Sequence, residues 1–263
     1  MDLGLKGKRA LVMGGSKGLG RSIADALAAE GAAVVVSGRD QASLDAVAAA
    51  LKAAGAPTAH GVVADVAQGE QMDRLADEAV RLLGGVDILV LNHGGPPPCV
   101  AAEITDAALR TWFEHVVASP IRIANRLVPE MRKRGWGRVL VVGSSGMQHP
   151  IPNLALSNVL RSAIWGWLKT YSGEAAKDGV TMNVIAPGSI MTDRIMQNAA
   201  SRASKAGTTP EQELGKMAAE IPAGRIGTPA EFGPTAAFLA SEQAGYITGS
   251  MIRVDGGRVR SML

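Results

Sequence analysis

The stretch at residues 9–20 reads R-A-L-V-M-G-G-S-K-G-L-G and joins a short apolar run to a glycine-rich turn. The apolar spacing of residues 19–30 then predicts an amphipathic helix. Glycines at 14, 18 and 20 permit a tight turn and a close approach of backbone N–H groups at the start of the helix to a pyrophosphate. The stretch therefore predicts a strand, a nucleotide-binding loop and a helix. The candidate cofactor residues in this loop are Gly14, Ser16, Lys17, Gly18, Leu19 and Gly20.

Similar apolar runs recur along the chain, and helical segments separate nearly all of them. The runs lie at residues 9–13, 33–36, 61–64, 87–91, 138–142, 181–185 and 250–254. Strands that alternate with helices form right-handed crossovers and a parallel sheet that is covered on both faces. We predict an α/β fold in which one Rossmann-like, doubly wound parallel sheet of about seven strands carries helices on both faces. We expect a single domain over residues 1–263.

Composition excludes several classes of protein. The chain has 263 residues with 47% hydrophobic side chains, enough for a large core, and its net charge of +3 is far below that of a nucleic-acid-binding protein. No run of about 18 apolar residues could span a membrane, and the first residues lack the apolar core of a signal peptide. Cys99 is the single cysteine, and it has no metal-type spacing around it. We therefore expect a cytoplasmic protein with no membrane, nucleic-acid or metal partner.

The end of the second predicted strand indicates which dinucleotide binds. Sites for NAD usually carry an acidic residue there, which binds the adenosine ribose hydroxyls. This chain has Ser37-Gly38-Arg39 instead, and Lys17 lies in the glycine loop. Two cations favour the 2′-phosphate of NADP(H), because guanidinium and ammonium groups offset its charge. The alternative is that Lys17 and Arg39 are solvated surface charges. We expect Asp40 to cap the following helix.

Three further stretches follow predicted strands and resemble the motifs of one known family. They are Asp65-Val66, Asn92-His93-Gly94-Gly95 and the segment P-G-S-I-M-T at residues 187–192. With the glycine loop, they make the chain similar to the short-chain dehydrogenase/reductase superfamily over essentially its whole length. The tail at residues 247–257 resembles the 3-oxoacyl-ACP-reductase-like branch, which implies a homotetramer or homodimer. The resemblance implies cofactor contacts from Asp65, Val66, Asn92, Gly94, Pro187, Gly188, Ile190 and Thr192.

The catalytic residues resemble the family much less. The family uses Asn, Ser, Tyr and Lys, the last two as Tyr-x-x-x-Lys. Counting back from Asn183 and Pro187 places the Tyr position at Ser157 and the Lys position at Arg161. The Ser position falls on Ser144, and the Asn position on Val116. One of four residues is kept, so the chain resembles a divergent subgroup.

The replaced pair changes the chemistry. In the family, the tyrosine donates a proton to the carbonyl oxygen, and the lysine lowers its pKa. Ser157 is a far weaker acid than a phenol, and Arg161 cannot relay a proton. Arg161 can still donate to the cofactor ribose and stabilise an alkoxide with its charge. A spacing of four residues places Ser157 and Arg161 on one helix face, and we expect Ser144 to hold the substrate oxygen.

The proton donor is open at this point. His149 lies shortly after Ser144 in a proline-rich stretch at residues 146–153, and an imidazole is the most suitable replacement acid. His93 and His115 are weaker candidates, and the alternative for each histidine, which we favour, is a structural role. We expect structural roles for the two tyrosines, Tyr171 and Tyr246.

These observations lead to one function and two alternatives. The first is an NADP(H)-dependent oxidoreductase that acts on a small-molecule carbonyl or secondary alcohol, with a substrate lid at residues 189–222. The second is a catalytically inactive protein that binds NADP(H) as a sensor or as an oligomer partner. The third is an enzyme of the same fold without redox chemistry.

Overall fold

The computed structural model describes residues 2–262, and seven of its strands form one parallel sheet. The strand order is β3-β2-β1-β4-β5-β6-β7, so the order reverses between β1 and β4. A crevice forms at such a reversal, at the carboxyl ends of the strands. The strands are β1 (Arg9–Val12), β2 (Ala33–Gly38), β3 (Ala59–Val63), β4 (Ile88–Leu91), β5 (Gly137–Val142), β6 (Val180–Pro187) and β7 (Met251–Val254).

The described residues also form nine α-helices, in two layers. Apolar side chains of α1, α2 and α9 pack on one face of the sheet, and those of α3, α5 and α6 pack on the other. No α-helix among residues 2–262 is long and apolar enough to cross a membrane. The helices are α1 (Gly18–Ala29), α2 (Gln41–Ala53), α3 (Gly69–Leu83), α4 (Asp106–Phe113), α5 (Ser119–Arg134), α6 (Ala155–Ala175), α7 (Asp193–Ala206), α8 (Pro210–Ala219) and α9 (Pro229–Leu239).

This layering explains why the strands are apolar along their whole length. Successive side chains of a strand point to opposite faces, so a strand covered on both faces is apolar at every position. Leu11 and Val35 lie in the core beneath α3, α5 and α6, whereas Val12 and Val36 lie in the core beneath α1, α2 and α9. The predicted sheet is confirmed, and some strand ends differ from the predicted ones by one or two residues.

The start of α2 and the end of α5 lie at the capping residues expected from the sequence. Asp40 begins α2, because its carboxylate accepts a hydrogen bond from the Ser43 backbone N–H at 2.8 Å. Gly135 ends α5 in the left-handed region, with φ of +69°. The basic side chains before Gly135 each form an ion pair with an acidic residue, which fits their position at a helix C-terminus.

Candidate active site

The loop between β1 and α1 requires its glycines for steric reasons. Gly14 and Gly18 have φ of +58° and +60°, in the left-handed region that glycine adopts most easily. A Cβ added to Gly20 would lie 2.3 Å from the Gly14 carbonyl oxygen. The Asn92 side chain, at the end of β4, donates hydrogen bonds to the carbonyls of Met13 and Gly14 at 3.1 and 3.2 Å. The loop is therefore bound to both strands that flank the crevice.

The end of β2 presents an unpaired cation beside this loop. A Cβ added to Gly38 would lie 3.2 Å from the Ser16 hydroxyl oxygen, so the glycine loop packs closely against the end of β2. Arg39 follows directly and is exposed. Within residues 2–262 it makes no ion pair, so its guanidinium is free to bind an anion at this end of the crevice.

Asp65 and Val66 form the turn that leads from β3 into α3. The Asp65 carboxylate accepts a hydrogen bond from the Ala67 backbone N–H at 3.0 Å, and the Gln71 side chain accepts one from the Asp65 backbone N–H at 2.8 Å. Val66 packs on the core beneath α3. Gln71, which sequence reasoning missed, thus helps to hold the Asp65-Val66 turn at the rim of the crevice.

The segment after β6 runs along the opposite wall of the crevice. Gly188 allows a close approach to the segment after β7, because an added Cβ would lie 2.7 Å from Asp255 Cα. Ile190 is buried and pairs with Gly227 in a parallel bridge. These contacts hold the backbone after Pro187 in place.

Helix α7 begins directly above the glycine loop. Thr192 precedes the helix, and its methyl carbon lies 3.8 Å from the position of a Cβ added to Gly18. Lys17 and Asp193 form an ion pair at 3.4 Å between the loop and the helix. Both side chains are largely exposed, so the pair is weak and Lys17 can exchange Asp193 for another anion.

Ser144 lies two residues beyond the end of β5 and begins a short 3₁₀ turn, Ser145–Met147. Its side-chain oxygen accepts a hydrogen bond from the Gly146 backbone N–H at 3.1 Å. The hydroxyl hydrogen has no acceptor among residues 2–262, so Ser144 can donate it to a bound oxygen.

Arg161, on α6, brings a buried charge to the same strand end. Its side chain is 9% exposed, and Nη1 donates to the Val142 carbonyl at 2.9 Å. Burial and the charge of Arg194 lower the pKa of Arg161 to about 10, so the guanidinium is cationic at neutral pH. No carboxylate among residues 2–262 pairs with it. The charge therefore acts on whatever binds in the crevice.

Ser157 lies one turn before Arg161 on α6, as the spacing predicts. It is partly buried, and its hydroxyl makes no hydrogen bond within the described chain. The start of α6 is held by Cys99, whose N–H donates to Asn153 and whose carbonyl accepts from the Ala155 N–H. Asn153 has φ of +60°, a conformation that asparagine tolerates better than most residues.

Sequence reasoning missed Asn158, which fixes the loop that carries His149. Its side-chain amide donates to the Ile151 carbonyl at 3.0 Å and accepts from the Ile151 N–H at 3.4 Å. A Cβ added to Gly146 would lie 2.5 Å from Asn158 Oδ1, so the loop packs tightly on the amide. A polar residue of low helix propensity directly after the Tyr position was the available signal.

Comparison with known proteins agrees with this geometry. A family model described as Enoyl-(Acyl carrier protein) reductase matches residues 14–258. Dehydrogenase/reductase SDR family member 4 of Sus scrofa is 39% identical over 256 residues, which cover 96% of this chain and 88% of that protein. The chain belongs to the short-chain dehydrogenase/reductase superfamily. It is an oxidoreductase of this type by relationship.

Two further members of the superfamily are also similar to the chain. The 3-oxoacyl-[acyl-carrier-protein] reductase FabG of Escherichia coli (strain K12) is 32% identical over 255 residues, covering 97% of this chain and 98% of that protein. The crystal structure of L-sorbose reductase from Gluconobacter frateurii, complexed with NADPH and L-sorbose, superposes with a TM-score of 0.94 at 33% identity and full coverage of both chains.

At the position where we align the superfamily's Asn, this chain has Val116 in a π-helical turn, Glu114–Ala118. The Val116 side chain is fully buried and shares an apolar cluster with Leu156 and Leu160 of α6. No polar atom therefore enters the crevice from this side chain. A π-helical turn is often found at functional sites, so the backbone feature is present although the polar side chain is absent.

His93 cannot donate a proton at neutral pH. Its Nδ1 lies 2.7 Å from the Gly94 carbonyl oxygen, so Nδ1 carries the hydrogen of the neutral ring. Burial, followed by the charge of Arg161, lowers the pKa of His93 to about 3. His93 is therefore a neutral, oriented side chain at the mouth of the crevice.

The other candidate proton donors have different surroundings. His115 lies edge-on to Trp112, with ring centroids 4.8 Å apart. His149 is exposed, and its ring makes no hydrogen bond among the described residues. Tyr171 packs beside Trp167, as expected of a structural residue. Tyr246 is fully exposed in this chain, so its structural role stays a prediction.

Proposed function

We propose that this oxidoreductase uses NADP(H) to interconvert a carbonyl compound and its secondary alcohol, with Ser144, Ser157 and Arg161 in place of the usual catalytic set. One observation carries the proposal. The buried Arg161 guanidinium, which has no ion-pair partner among residues 2–262, donates to Val142 at the end of β5. Ser144 follows two residues after Val142 and Ser157 lies one helical turn before Arg161, and neither serine hydroxyl has an acceptor in the described chain. Such a group is arranged to stabilise negative charge on a bound oxygen.

The crevice fits a phosphorylated dinucleotide. Gly18 and Gly20 leave room for a close approach of phosphate to the start of α1, and Thr192 borders the same space. The unpaired Arg39, with Lys17, would bind the adenosine 2′-phosphate. The NADPH complex of L-sorbose reductase supports this choice of cofactor. When bound, the reduced nicotinamide supplies the hydride that adds to the carbonyl carbon.

The protein's own groups would stabilise the oxygen that becomes negative. The carbonyl π electrons move to this oxygen as the carbon–hydrogen bond forms, and the Arg161 guanidinium offsets the charge. Ser144 donates a hydrogen bond to the oxygen, and we assign Ser157 to the same oxygen or to the cofactor ribose. Removal of one donor from such a site costs about 10² to 10³ in rate.

The oxygen finally needs a proton. His93 has none to give at neutral pH, and Arg161 remains protonated. We assign the donor role to His149, because its exposed ring can exchange protons with solvent and Asn158 fixes its loop. Loss of a general acid costs about 10² to 10⁴ in rate.

Three features of the remaining chain complete the proposal. Helices α7 and α8, within residues 189–222, form the substrate lid and move to admit the substrate. All of residues 1–263 form one domain. The protein acts as a homotetramer, with a homodimer as the alternative, and copies of the chain would then cover the exposed Tyr246.

A catalytically inactive NADP(H)-binding protein is the second candidate, and the apolar filling at Val116 is the observation that favours it. One experiment distinguishes the two. Purified protein is incubated with NADPH and a panel of ketones, 3-oxoacyl thioesters and quinones, and the loss of absorbance at about 340 nm is followed. The proposal of an enzyme is supported if the protein turns over a substrate and Ser144→Ala lowers the rate. Ser162→Ala, on the exposed side of α6, is the control and should leave the rate unchanged. Tight NADPH binding without turnover on the whole panel supports the inactive protein.

A further inference from the structure

The guanidinium groups of two arginines lie against the loop after β4. Arg161 reaches it from α6, where Nη2 lies 3.5 Å from the position of a Cβ added to Gly95. Arg194 reaches it from the first turn of α7, where Nη2 donates to the Pro96 carbonyl at 3.1 Å. Because Gly95 and Pro96 are consecutive, the two side chains approach the same short piece of backbone from different helices.

The two charges lack an acidic ion-pair partner in the part of the chain that the structure describes. Within residues 2–262, neither Arg161 nor Arg194 takes part in an ion pair. Other arginines of the chain, such as Arg122 and Arg126 on α5, each have an aspartate partner. A buried charge without a partner is costly, and a second cation nearby raises the cost. The effect is visible in Arg161, since burial and the charge of Arg194 lower its pKa.

Most of the donors on both side chains are free. A guanidinium carries five N–H groups, and the hydrogen bonds found use one Nη atom of each arginine, Nη1 of Arg161 and Nη2 of Arg194. The remaining forked donors match the geometry of a carboxylate or a phosphate, which accept two parallel hydrogen bonds. The Arg161 side chain is more than nine-tenths buried, so its free donors are shielded from bulk solvent.

The cofactor would leave this charge unbalanced. Its phosphates would lie at Gly18 and Thr192, and the adenosine phosphate at Arg39, whereas the guanidinium groups of Arg161 and Arg194 reach the Gly95-Pro96 backbone. Arg161 contacts Val142, close to Ser144, where the proposed function places the substrate oxygen. We propose that Arg161 and Arg194 together bind an anionic group of the substrate, a carboxylate or a phosphate ester, so that the natural substrate is an anionic carbonyl compound or alcohol.

In this arrangement Arg194 determines specificity. Arg161 is shared between the reacting oxygen and the anionic group, whereas Arg194 lies on the proposed lid and contacts the anionic group alone. The inference rests on the proposed function for the identity of the reacting carbonyl. The binding of the anion itself does not need turnover, and the test uses this difference.

The test measures binding to the NADP⁺-loaded protein by calorimetry. Oxamate, ethyl oxamate and inorganic phosphate are the probes, because the first two differ mainly in a carboxylate charge. We expect oxamate or phosphate to bind at least about tenfold more tightly than ethyl oxamate. In Arg194→Gln this preference should fall to about twofold or less, and Arg194→Lys should keep part of it. Arg202→Gln, an exposed arginine later on α7, should keep all of it.

The probes also distinguish the source of the anion. A preference for oxamate identifies a carboxylate, and a preference for phosphate identifies a phosphate ester; both support the site. Equal binding of oxamate and ethyl oxamate together with no phosphate binding would overturn it, as would a preference unchanged in Arg194→Gln. Anion binding that NADP⁺ abolishes would assign the arginines to the cofactor and also overturn the proposal.

A kinetic comparison separates this inference from the proposed function. A 2-oxo acid and its methyl ester are compared as substrates with NADPH, and the wild type should favour the acid. In Arg194→Gln, kcat/KM for the acid should fall at least about tenfold, with the ester and the KM for NADPH nearly unchanged. Turnover of both compounds without such a change contradicts the anion site alone. Anion binding without any turnover contradicts the proposed function alone.

Discussion

The loop after β1 and the segment from β5 into α6 border the same crevice, but they differ in how closely they match the superfamily. The loop has the residues of the family pattern, whereas the second segment departs from it as we align the two. In the first, Gly14, Gly18 and Gly20 match the family pattern, and positive φ angles or a close backbone contact require each of them. In the second, we align the family's Tyr and Lys positions with Ser157 and Arg161, which lie one turn apart on α6. Where two backbones approach each other closely, there is no room for a side chain. A helix face that lines a crevice can instead have different side chains, and therefore different chemistry, at the same positions.

The largest effect should come from Gly20→Ala in the first region. The new Cβ would lie 2.3 Å from the Gly14 carbonyl oxygen, and both are backbone positions that cannot move independently. We expect NADPH affinity to fall more than about 100-fold and the free energy of unfolding to fall by about 1–3 kcal/mol. Fluorescence titration and urea unfolding measure the two quantities.

Gly166→Ala is the matched control for this change. Gly166 lies on the exposed side of α6, and an added Cβ meets nothing within 4 Å. Alanine there should raise the free energy of unfolding by about 0.5–1 kcal/mol and leave NADPH binding unchanged. Normal NADPH affinity in Gly20→Ala would show that the loop does not form the cofactor site described above.

The next largest effect should come from Arg161→Met in the second region. Loss of the charge at the reacting oxygen should lower kcat/KM by about 10² to 10³. The free energy of unfolding should stay equal or rise by about 1 kcal/mol, because methionine replaces a buried cation that has no carboxylate partner among residues 2–262. Steady-state kinetics and urea unfolding are the measurements. A large loss of stability would instead make Arg161 a structural residue.

Ser144→Ala tests the neutral donor of the same region. We expect kcat to fall about 10²-fold because the bound oxygen loses a hydrogen bond. The free energy of unfolding should fall by about 1 kcal/mol, since the Gly146 N–H loses its acceptor. Ser162→Ala is the control: it removes an exposed hydroxyl that lies on the same helix as Ser157 but does not face the crevice. It should change kcat less than twofold. Equal kcat in both variants would contradict a role of Ser144 in catalysis.

A smaller effect is expected from Asn158→Ala, which acts on the loop and not on the reacting oxygen. Two hydrogen bonds to Ile151 are lost, so the free energy of unfolding should fall by about 1–2 kcal/mol. We expect kcat to fall about tenfold with the KM for NADPH unchanged, because the loop that carries His149 is released. Addition of imidazole as an external acid should restore part of kcat. Loss of stability with an unchanged kcat would contradict the positioning role.

The last prediction is a pH dependence of the free energy of unfolding that comes from His93. Its pKa is about 3 in the folded protein and near 6.5 when unfolded, so its contribution to stability is present above about pH 6.5 and is lost as the pH falls towards 3. The slope should be at most about 1.4 kcal/mol per pH unit. Urea unfolding at pH 7.5 and pH 5 measures it, and His93→Asn should remove the slope. Parallel pH curves for the two proteins would contradict a His93 that stays neutral in the folded protein.

The sequence alone predicted the sheet, the glycine turn between β1 and α1, and the placement of Ser157 and Arg161 one turn apart on one helix, because each has a period or a steric requirement that is visible locally. The buried state of Arg161 and its contact with Val142 were not predictable, since they depend on how α6 packs across β5. The same is true of Asn158, whose partner Ile151 lies in an irregular loop. The convergence of Arg161 and Arg194 joins residues from two helices, and no local pattern connects them.

Deuterium transfer is the most direct test of the central claim that Arg161 and Ser144 support hydride transfer to a carbonyl. NADPH that carries deuterium at both C4 positions is incubated with the wild type and a ketone or 2-oxo acid, and the product is analysed by mass spectrometry. We predict one deuterium on the new carbinol carbon with the wild type, and label reduced to background over the same time with Arg161→Met. Absence of label in the wild-type product, or equal labelling by both proteins, would contradict the account.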